Sequence, residues 1–401
     1  MGYRILHAIR SVNPAGGGPI EGIKQLTAAN LRHGHHVEVV TLDAPGDPWV
    51  KDCPIQCHAM GPSLMGYGYS PRFVPWLRAN RRDFDAVIVN GLWQYSSYGV
   101  WRALARTQTP YFVFSHGMLD PWFKRTYPLK HIKKWLYWPW ADYRVLRDAA
   151  AVLFTCDEER RLARQSFWLY KCDEFVINYG TTGPAGDATT QRRLFLEQFP
   201  QLKDKRCLLF LGRVHVKKGP DLLFQAFAQV LARMPEAATW NVQLVMAGPN
   251  NHAYGREMAR LVHTLGLDDR VTWTGMLTGD QKWGAFRAAD AFILPSHQEN
   301  FGIAVAEALA CGVPVLISNQ VNIWREIQHD KAGMVDTDDI GGTIRLMENW
   351  LATDRADWNA MKAQARSCFQ KRFDIERTAE SLVKAFDIHG VMPAPAGGVV
   401  P

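Results

Sequence analysis

Hydrophobic residues in the first half of the chain form short continuous runs, separated by longer polar segments. Runs that are apolar at consecutive positions are typical of parallel strands with both faces covered. They predict strands at Arg4–Ile9, Val37–Thr41, Ala86–Asn90, Tyr111–Ser115, Ala151–Thr155 and Phe175–Asn178. The segments between them, such as Pro19–His33 and Asp157–Phe167, have helical length and polarity.

The second half repeats this pattern. Its apolar runs predict strands at Leu208–Leu211, Val242–Ala247, Val271–Trp273, Phe292–Leu294, Val315–Ile317 and Met334–Val335, with helices between them. Alternating strands and helices indicate a doubly wound parallel sheet with right-handed connections. The fold class is therefore predicted as α/β, with two Rossmann-like domains facing each other across a cleft.

The domain boundary is predicted within Gly180–Lys205, because the stretch from Gly180 to Asp187 is rich in turn residues. We expect an N-terminal domain over 1–185 and a C-terminal domain over 200–374. A last helix at about 375–390 is expected to cross back to the first domain, and residues 391–401 are expected to be frayed. Ligands of open α/β sheets bind beyond the carboxyl ends of the strands, so the active site is expected in the cleft.

Composition narrows the class of protein. The chain has 401 residues, of which 47% are hydrophobic and 21% charged, which is ordinary globular composition and excludes collagen-like and low-complexity classes. No apolar run approaches the roughly 20 residues that span a bilayer, and the first residues resemble a strand rather than a secretory leader. The seven cysteines lack a zinc-ligand spacing, so reduced thiols and a cytoplasmic location are expected.

The net charge of +7 lies entirely in the first half. Residues 1–180 carry 22 Lys and Arg against 15 Asp and Glu, whereas residues 181–401 carry 24 of each. A basic half suggests an anionic partner, either a nucleic acid, a phosphorylated ligand or an acidic membrane surface.

The most informative segment runs from Pro295 to Val315. A predicted strand ends at Pro295, Gly302 is expected to open a helix, and Gly312 is expected to cap it. The free N–H groups of a helix start favour an anion. Glu299 and Glu307 flank that start, and carboxylates suit sugar hydroxyls rather than phosphate.

Three further segments follow predicted strands. Gly212-Arg213 and Lys218-Gly219 would place two cations on a strand–helix connection, as a diphosphate clamp requires. Gly16–Gly18 would let a ligand approach the backbone, or would simply make a tight turn, and there is no dinucleotide fingerprint or P-loop. His116 follows the strand that ends near Ser115, either as a structural histidine or as a hydrogen-bond partner for a reacting sugar.

Together these residues resemble a retaining glycosyltransferase of family 4, of the exopolysaccharide or lipopolysaccharide type, with the GT-B fold. Glu299 and Glu307 match the E-x7-E motif of that family. Arg213 and Lys218 match its diphosphate-binding pair, and His116 matches its active-site histidine. The sequence departs from the family pattern at Ile177–Thr181, where members often have Pro-Asn-Gly-Val.

The resemblance implies that a GDP- or UDP-hexose donor binds mainly to the second domain. The expected donor-binding residues are Gly17, Gly18, Arg213, Lys218, Glu299, Asn300, Phe301, Gly302 and Glu307. Among them, Glu307 would accept from the ribose and Glu299 with Asn300 would hold the sugar, while the acceptor would lie near His116. The resemblance also implies retention of configuration without a metal or other cofactor, and no Asp-x-Asp stands in a metal-binding context.

The segment Trp122–Trp140 has an unusual composition, with four Trp, five Lys or Arg and no acid. Helical spacing places Lys130, Lys133 and Lys134 on one face, and Ile132, Trp135 and Leu136 on another. Such a helix suits an anionic membrane surface, and equally a helix packed on its own domain. Nucleic acid is not expected, because no nucleic-acid-binding motif accompanies the segment.

These observations predict hexose transfer to a saccharide acceptor that is linked to a polyprenyl diphosphate, in surface polysaccharide synthesis. The enzyme would then work in the cytoplasm or at the inner face of the plasma membrane. The alternatives are transfer to a soluble acceptor and an inactive protein that binds nucleotide sugars. An epimerase on the same fold is a further rival, but its distinguishing pattern is not visible in the sequence.

Overall fold

The computed structural model describes residues 2–234 and 241–393. The chain divides into two compact units, one containing the residues up to Gly180 and those from Ile375 onward, the other Thr181–Asp374. Each unit has its own parallel sheet covered by helices, so the predicted α/β architecture with two doubly wound domains is confirmed.

The first unit contains a seven-stranded sheet. Its strands are β1 Arg4–Ile9, β2 His36–Thr41, β3 Gln56–Ala59, β4 Ala86–Asn90, β5 Tyr111–Phe114, β6 Ala151–Phe154 and β7 Glu174–Val176. They lie in the order β3-β2-β1-β4-β5-β6-β7, and every neighbouring pair is parallel. Strand β3 was not predicted, because an edge strand with only four partly exposed residues leaves no continuous apolar run.

Helices cover both faces of this sheet. They are α1 Gly18–Arg32, α2 Pro48–Lys51, α3 Phe73–Asn80, α4 Tyr95–Leu104, α5 Trp122–Thr126, α6 Pro128–Tyr137, α7 Asp142–Arg147 and α8 Asp157–Ala163. A core cluster on one face joins apolar side chains of β4 and β5 to α3, α4 and α7, and includes Phe73, Val89 and Val113.

The second unit contains a six-stranded sheet. Its strands are β8 Arg206–Leu211, β9 Val242–Ala247, β10 Val271–Gly275, β11 Ala291–Leu294, β12 Val315–Ser318 and β13 Gly333–Asp336. Their order is β10-β9-β8-β11-β12-β13, again with parallel neighbours. All six strands predicted for this half are present, each within two residues of the predicted bounds.

The helices of the second unit are α9 Ala188–Gln198, α10 Pro220–Arg233, α11 Ala253–Thr264, α12 Gly279–Ala288, α13 Ile303–Ala310, α14 Trp324–His329, α15 Ile340–Ala352 and α16 Arg355–Cys368. The second unit begins at Thr181 rather than at residue 200, because α9 packs on α12. In that contact the side-chain amide of Gln191 donates to the Asp280 carboxylate over 3.0 Å. A Cβ at Gly284 would lie 2.3 Å from the backbone carbonyl oxygen of Gln191, so the two helices approach closely there.

The last helix, α17 Ile375–Ile388, belongs to the first unit. The Tyr3 hydroxyl donates to Asp387 over 2.7 Å, and Glu376 pairs with His33 over 2.8 Å. Residue 391 was expected to begin a frayed tail, but Val391 is 5% exposed and its amide donates to Phe386. The rest of the expected tail, from residue 394, lies outside the described residues. Across the ranges 2–234 and 241–393, no helix has the length and hydropathy to cross a bilayer.

Candidate active site

In both sheets the chain first adds strands towards one edge and then, from the centre, towards the other edge. We call this change of direction the central reversal. In the second unit the chain builds β8, β9 and β10 towards one edge and then returns to place β11 on the other side of β8. The connections that leave β8 and β11 therefore diverge, which opens a crevice at the carboxyl ends of these two strands. Ligands of open α/β sheets bind at this point.

The two connections that leave β8 and β11 are held against each other. The amide of His297 donates to the Lys217 carbonyl over 2.8 Å. A Cβ at Gly219, where φ is 64°, would lie 2.3 Å from the carbonyl oxygen of Pro295, so this approach requires glycine. The Lys218 ammonium forms an ion pair with Glu299. Two residues predicted as ligands from distant parts of the sequence are thus in direct contact.

The electrostatic surroundings of Lys218 disfavour its charged form. Burial, followed by the positive charges of Lys217 and Arg213, lowers its pKa to about 7. The contact with Glu299 acts in the opposite direction, because a carboxylate favours the charged ammonium. The exposed Arg213 stands close enough to influence Lys218 electrostatically. A cluster of cations with one carboxylate partner is suited to a ligand with several negative charges.

The backbone after β11 is fixed before the helix begins. The amide of Glu299 donates to the Gln320 carbonyl over 3.0 Å, and the amide of Asn322 donates to the Glu299 carbonyl over 3.0 Å. Gly302 follows at φ 79° as the N-cap of α13, a conformation that favours glycine. The side-chain amide of Asn322 also approaches Asn300 at 3.4 Å. The predicted helix start at Gly302 is therefore present, with Asn300 and Phe301 just before it.

Glu307 lies inside α13 and is 5% exposed. The Lys282 ammonium of α12 donates to its carboxylate over 2.7 Å. Sequence analysis did not identify Lys282, because the pair joins two helices 25 positions apart. This lysine places a positive charge against a buried carboxylate, which offsets part of the cost of its desolvation.

The first unit contains a cavity of about 420 Å³ at its own central reversal, beyond β1, β4 and β5. Its polar lining comprises Arg10, Ser11, Asp43, Ser63, Asn90, Gln94 and His116. Gly16 and Pro19 also line it, while the predicted residues Gly17 and Gly18 stand at the start of α1 beside them. A lining with both donors and acceptors suits a ligand rich in hydroxyl groups.

His116 directly follows β5 and lies in the left-handed region at φ 48°. Its Nε2 is 3.2 Å from the side-chain oxygen of Asn90, and its ring stacks on Phe114. Burial lowers the pKa of His116 to about 4. The ring is therefore neutral at neutral pH, and it can offer a hydrogen bond to a substrate but no positive charge.

A buried carboxylate, Glu159, supports the backbone on both sides of His116. One oxygen accepts from the Ser115 hydroxyl and from the Gly117 amide, each over 2.6 Å. The other accepts from the amide of Thr155 over 2.7 Å and from its hydroxyl over 2.6 Å. Sequence analysis missed Glu159, although an acid three residues after the N-cap Cys156 matches a capping-box pattern.

The basic aromatic segment differs from its predicted form. The segment forms two helices, α5 and α6, and Pro128 is the first residue of α6. Lys134 does not share an exposed face with Lys130 and Lys133, because its ammonium packs 4.6 Å from the ring centre of Trp93. Lys134 thus forms a cation–π contact with Trp93 within its own unit.

The exposed face of α6 is instead largely apolar. Its exposed hydrophobic residues are Leu129, Ile132, Trp135 and Leu136, with exposures between 45% and 81%. Trp135 also contacts Trp168, which is 64% exposed. Large apolar side chains exposed together are unusual on a monomer surface and indicate an interaction surface.

Sequence comparison assigns each unit to a known family. The profile described as "Glycosyl transferase 4-like domain" matches residues 17–171. The profile described as "Glycosyl transferases group 1" matches residues 192–387. The chain belongs to the group 1, GT4-like glycosyltransferases with the GT-B fold. The family predicted from the motifs is confirmed at this level.

Individual relatives match over part of their length. A D-inositol 3-phosphate glycosyltransferase from Thermobispora bispora is 32% identical over 161 residues, which are 40% of this chain and 36% of that protein. This chain thus spans less than two-fifths of that relative's length.

Among solved structures, the sucrose-phosphate synthase of Thermosynechococcus elongatus aligns over 96% of this chain and 98% of its own, with a TM-score of 0.74 and 21% identity. HepE of Anabaena in complex with UDP-glucose aligns over 96% of this chain and 100% of its own, with a TM-score of 0.71 and 16% identity. At these identities the structural matches establish the fold alone.

The hydrogen bonds of Glu159 generate a prediction about His116. Glu159→Gln keeps the size of the side chain but replaces one acceptor oxygen with a donor amide, which must face at least one existing donor. We expect an unfolding free energy lower by about 2 kcal/mol and a displaced His116. Thermal unfolding and a crystal structure of the variant measure both effects.

Glu158→Gln is the matched control for Glu159→Gln. Glu158 is also buried, but it pairs with Arg161 at 2.6 Å on the same helix. Its replacement should leave His116 in place. An unchanged His116 in the Glu159 variant would contradict the role assigned to Glu159.

Proposed function

We propose that this protein transfers a hexose from a nucleoside-diphosphate sugar to a hydroxyl group of a small polyol or saccharide, with retention of the anomeric configuration. The observation that carries the proposal is the contact of Lys218 with Glu299 at the central reversal of the second sheet. It combines a cation for the diphosphate with a carboxylate for the sugar hydroxyls, at the place where this fold binds ligands.

In this proposal the donor diphosphate lies against Arg213 and Lys218, and we call these two residues the donor clamp. Negative charge grows on the leaving diphosphate as its bond to the sugar breaks, so both cations stabilise the transition state more than the bound donor. Amides at Phe301 and Gly302 add hydrogen bonds at the start of α13. The departing phosphate accepts the proton of the attacking hydroxyl on the same face of the sugar, which retains the configuration.

The carboxylates orient the donor in this scheme. Glu299 and Asn300 hold the hexose hydroxyls, and Glu307, which pairs with Lys282, accepts from the ribose. Neutral His116 offers a hydrogen bond to the sugar or to the acceptor without a charge that would compete with the diphosphate clamp. Lys218 and Arg213 supply the positive charge that a divalent metal would otherwise provide, so we propose a metal-independent reaction.

We place a soluble, phosphorylated acceptor first. One curated relative acts, by its name, on D-inositol 3-phosphate, and one solved structure with the same fold is a sucrose-phosphate synthase. The cavity of the first unit supports this choice, because its hydroxyl, amide and carboxylate groups suit a polyol and Arg10 suits a phosphate. Gly17 and Gly18 stand beside this cavity, so a role for them in holding the donor remains part of the proposal.

A lipid-linked saccharide at an anionic membrane surface is the second candidate acceptor. The exposed apolar face of α6 supports it, together with the exposed Lys130 and Lys133 on the same helix. A helix with this composition can lie in the interface, with its apolar side chains among the lipid tails and its lysines near the headgroups. In that case the enzyme would work at the inner face of the plasma membrane.

The donor clamp predicts the effect of two single substitutions. Arg213→Ala and Lys218→Ala should each lower kcat by roughly 10²-fold, about 3 kcal/mol of transition-state stabilisation. Turnover is measured as release of nucleoside diphosphate from UDP- and GDP-hexoses, with inositol phosphate or hexose phosphate as acceptor. Arg233→Ala, at the other end of α10, is the control and should keep the wild-type rate. Wild-type turnover in the Arg213 variant would refute the clamp.

The absence of a metal requirement is tested with the same assay. Because the clamp carries its own cations, EDTA in excess should leave turnover within a factor of about two. Inhibition by EDTA that added Mg²⁺ reverses would show that the diphosphate needs a metal, and would overturn this part of the mechanism.

The two candidate acceptors differ in their prediction for α6. Replacing Leu129, Ile132 and Leu136 together by Ser should abolish co-sedimentation with anionic liposomes if the acceptor is in the membrane, because apolar burial contributes most of interfacial binding. Lys130→Glu with Lys133→Glu should weaken it, since each lysine near an anionic surface contributes about 1 kcal/mol. Lys134→Glu is not informative, because Lys134 packs on Trp93.

Turnover with the soluble acceptor should be the same in all these α6 variants. Wild-type protein that does not bind liposomes, with full activity on a soluble phosphorylated acceptor, would remove the second candidate.

A further inference from the structure

The second unit has a cavity at the opposite end of its sheet from the proposed donor site. The cavity measures about 520 Å³ and is lined by Ala289 and Val313, which precede β11 and β12. The proposed donor ligands follow the carboxyl end of β11. A strand of four residues separates the two ends by roughly 13 Å, so the cavity is a distinct place in the unit.

Three cationic side chains line this cavity. Arg287 comes from α12, while Lys362 and Arg366 are one turn apart on α16. Among the lining residues there is no Asp or Glu. Within residues 2–234 and 241–393, none of the three cations forms an ion pair. Like charges that face one cavity without a counter-ion repel each other, and a bound anion would relieve that repulsion.

The side chain of Arg287 gives the most specific evidence for a ligand in this cavity. Its Nε is buried and has no hydrogen-bond partner in the described part of the chain. Its Nη1 reaches the carbonyl of Cys311 at 3.5 Å, which is too long for a strong hydrogen bond. An unsatisfied guanidinium N–H group in a buried position costs free energy. Within the described residues the Arg287 guanidinium is therefore weakly held, and an anion in the cavity that this side chain lines gives it a partner once the side chain turns.

The other residues that line the cavity indicate a ligand larger than a single inorganic ion. Ser367 and Gln370 on the α16 side add uncharged donors and acceptors, and Phe286 and Val313 add apolar surface. The volume exceeds that of one phosphate group. The three cations suit a phosphate, and the uncharged polar groups beside them suit a small polar molecule that is attached to that phosphate.

We propose that this cavity is a second ligand site, which binds a phosphate-bearing small molecule separately from the donor site. Arg287, Lys362 and Arg366 hold the phosphate, and Ser367 with Gln370 contact the attached group. The site also adjoins the end of α13 at Cys311 and Gly312, whereas the start of the same helix at Gly302 belongs to the proposed donor site. The proposal does not depend on which donor or acceptor the enzyme uses.

Isothermal titration calorimetry tests the site with two probes, inorganic phosphate and glucose 6-phosphate, and with glucose as the uncharged control. All titrations use Arg213→Ala Lys218→Ala protein, which lacks both cations of the donor clamp. The double substitution Lys362→Ala with Arg366→Ala should weaken phosphate-dependent binding at least tenfold. Tighter binding of glucose 6-phosphate than of inorganic phosphate would identify a phosphate ester as the ligand, and the reverse order would identify the free ion.

Arg355→Ala is the matched control, because Arg355 is an exposed arginine on α16 that does not line the cavity. It should leave binding unchanged. Equal binding by the double variant and its parent would overturn the proposal. An equal loss in the Arg355 variant would also overturn it, because net charge rather than the cavity would then govern binding. Circular dichroism and the thermal midpoint confirm that each variant is folded.

A crystal soaked with tungstate locates the anion directly. Anomalous density between Arg287, Lys362 and Arg366 is expected. Tungstate found only near Arg213 and Lys218 would refute the second site while supporting the donor clamp, so the two proposals fail separately.

Discussion

The contact between Lys218 and Glu299 is the interaction on which the candidate site of the second unit depends. It joins the connections that leave β8 and β11, which the sheet topology directs away from each other. A lysine that burial and two neighbouring cations push towards neutrality needs a nearby carboxylate to stay charged. Glu299 provides that charge, and the glycine at 219 allows the two segments to approach closely enough.

This pairing also prepares the site for a ligand. A half-buried ion pair contributes little net stability, because desolvation offsets much of the attraction between the charges. Its value here lies in position, since Lys218 and Glu299 are both held in place before a donor arrives. A diphosphate can then share the ammonium while the carboxylate turns to a sugar hydroxyl, with little reorganisation of the backbone.

In the first unit, the loop around His116 is held in place by a carboxylate that accepts hydrogen bonds from uncharged donors. Glu159 accepts four hydrogen bonds from the residues around His116 and from Thr155, and it holds the backbone at a positive φ that histidine adopts rarely. Strain of this kind persists only where the surroundings enforce it, and such positions concentrate at functional sites. Both candidate sites thus depend on a carboxylate that fixes a loop at the end of a central strand, Glu299 in the second unit and the buried Glu159 in the first.

The sequence by itself determined the parallel α/β architecture and the position of most strands, because a strand covered on both faces requires a continuous apolar run. It also determined the helix start at Gly302, since a left-handed N-cap is a local conformational requirement. Strand β3 escaped detection because a half-exposed edge strand carries no such requirement.

Only the tertiary structure decided which charged groups meet. Lys282 with Glu307, Glu159 with the segment around His116, and Lys134 over Trp93 are contacts between elements that sequence spacing does not relate. Helical periodicity placed Lys134 with Lys130 and Lys133, but the periodicity of a helix does not specify which of its faces packs inward. That choice follows from the apolar and aromatic surface that the rest of the unit presents.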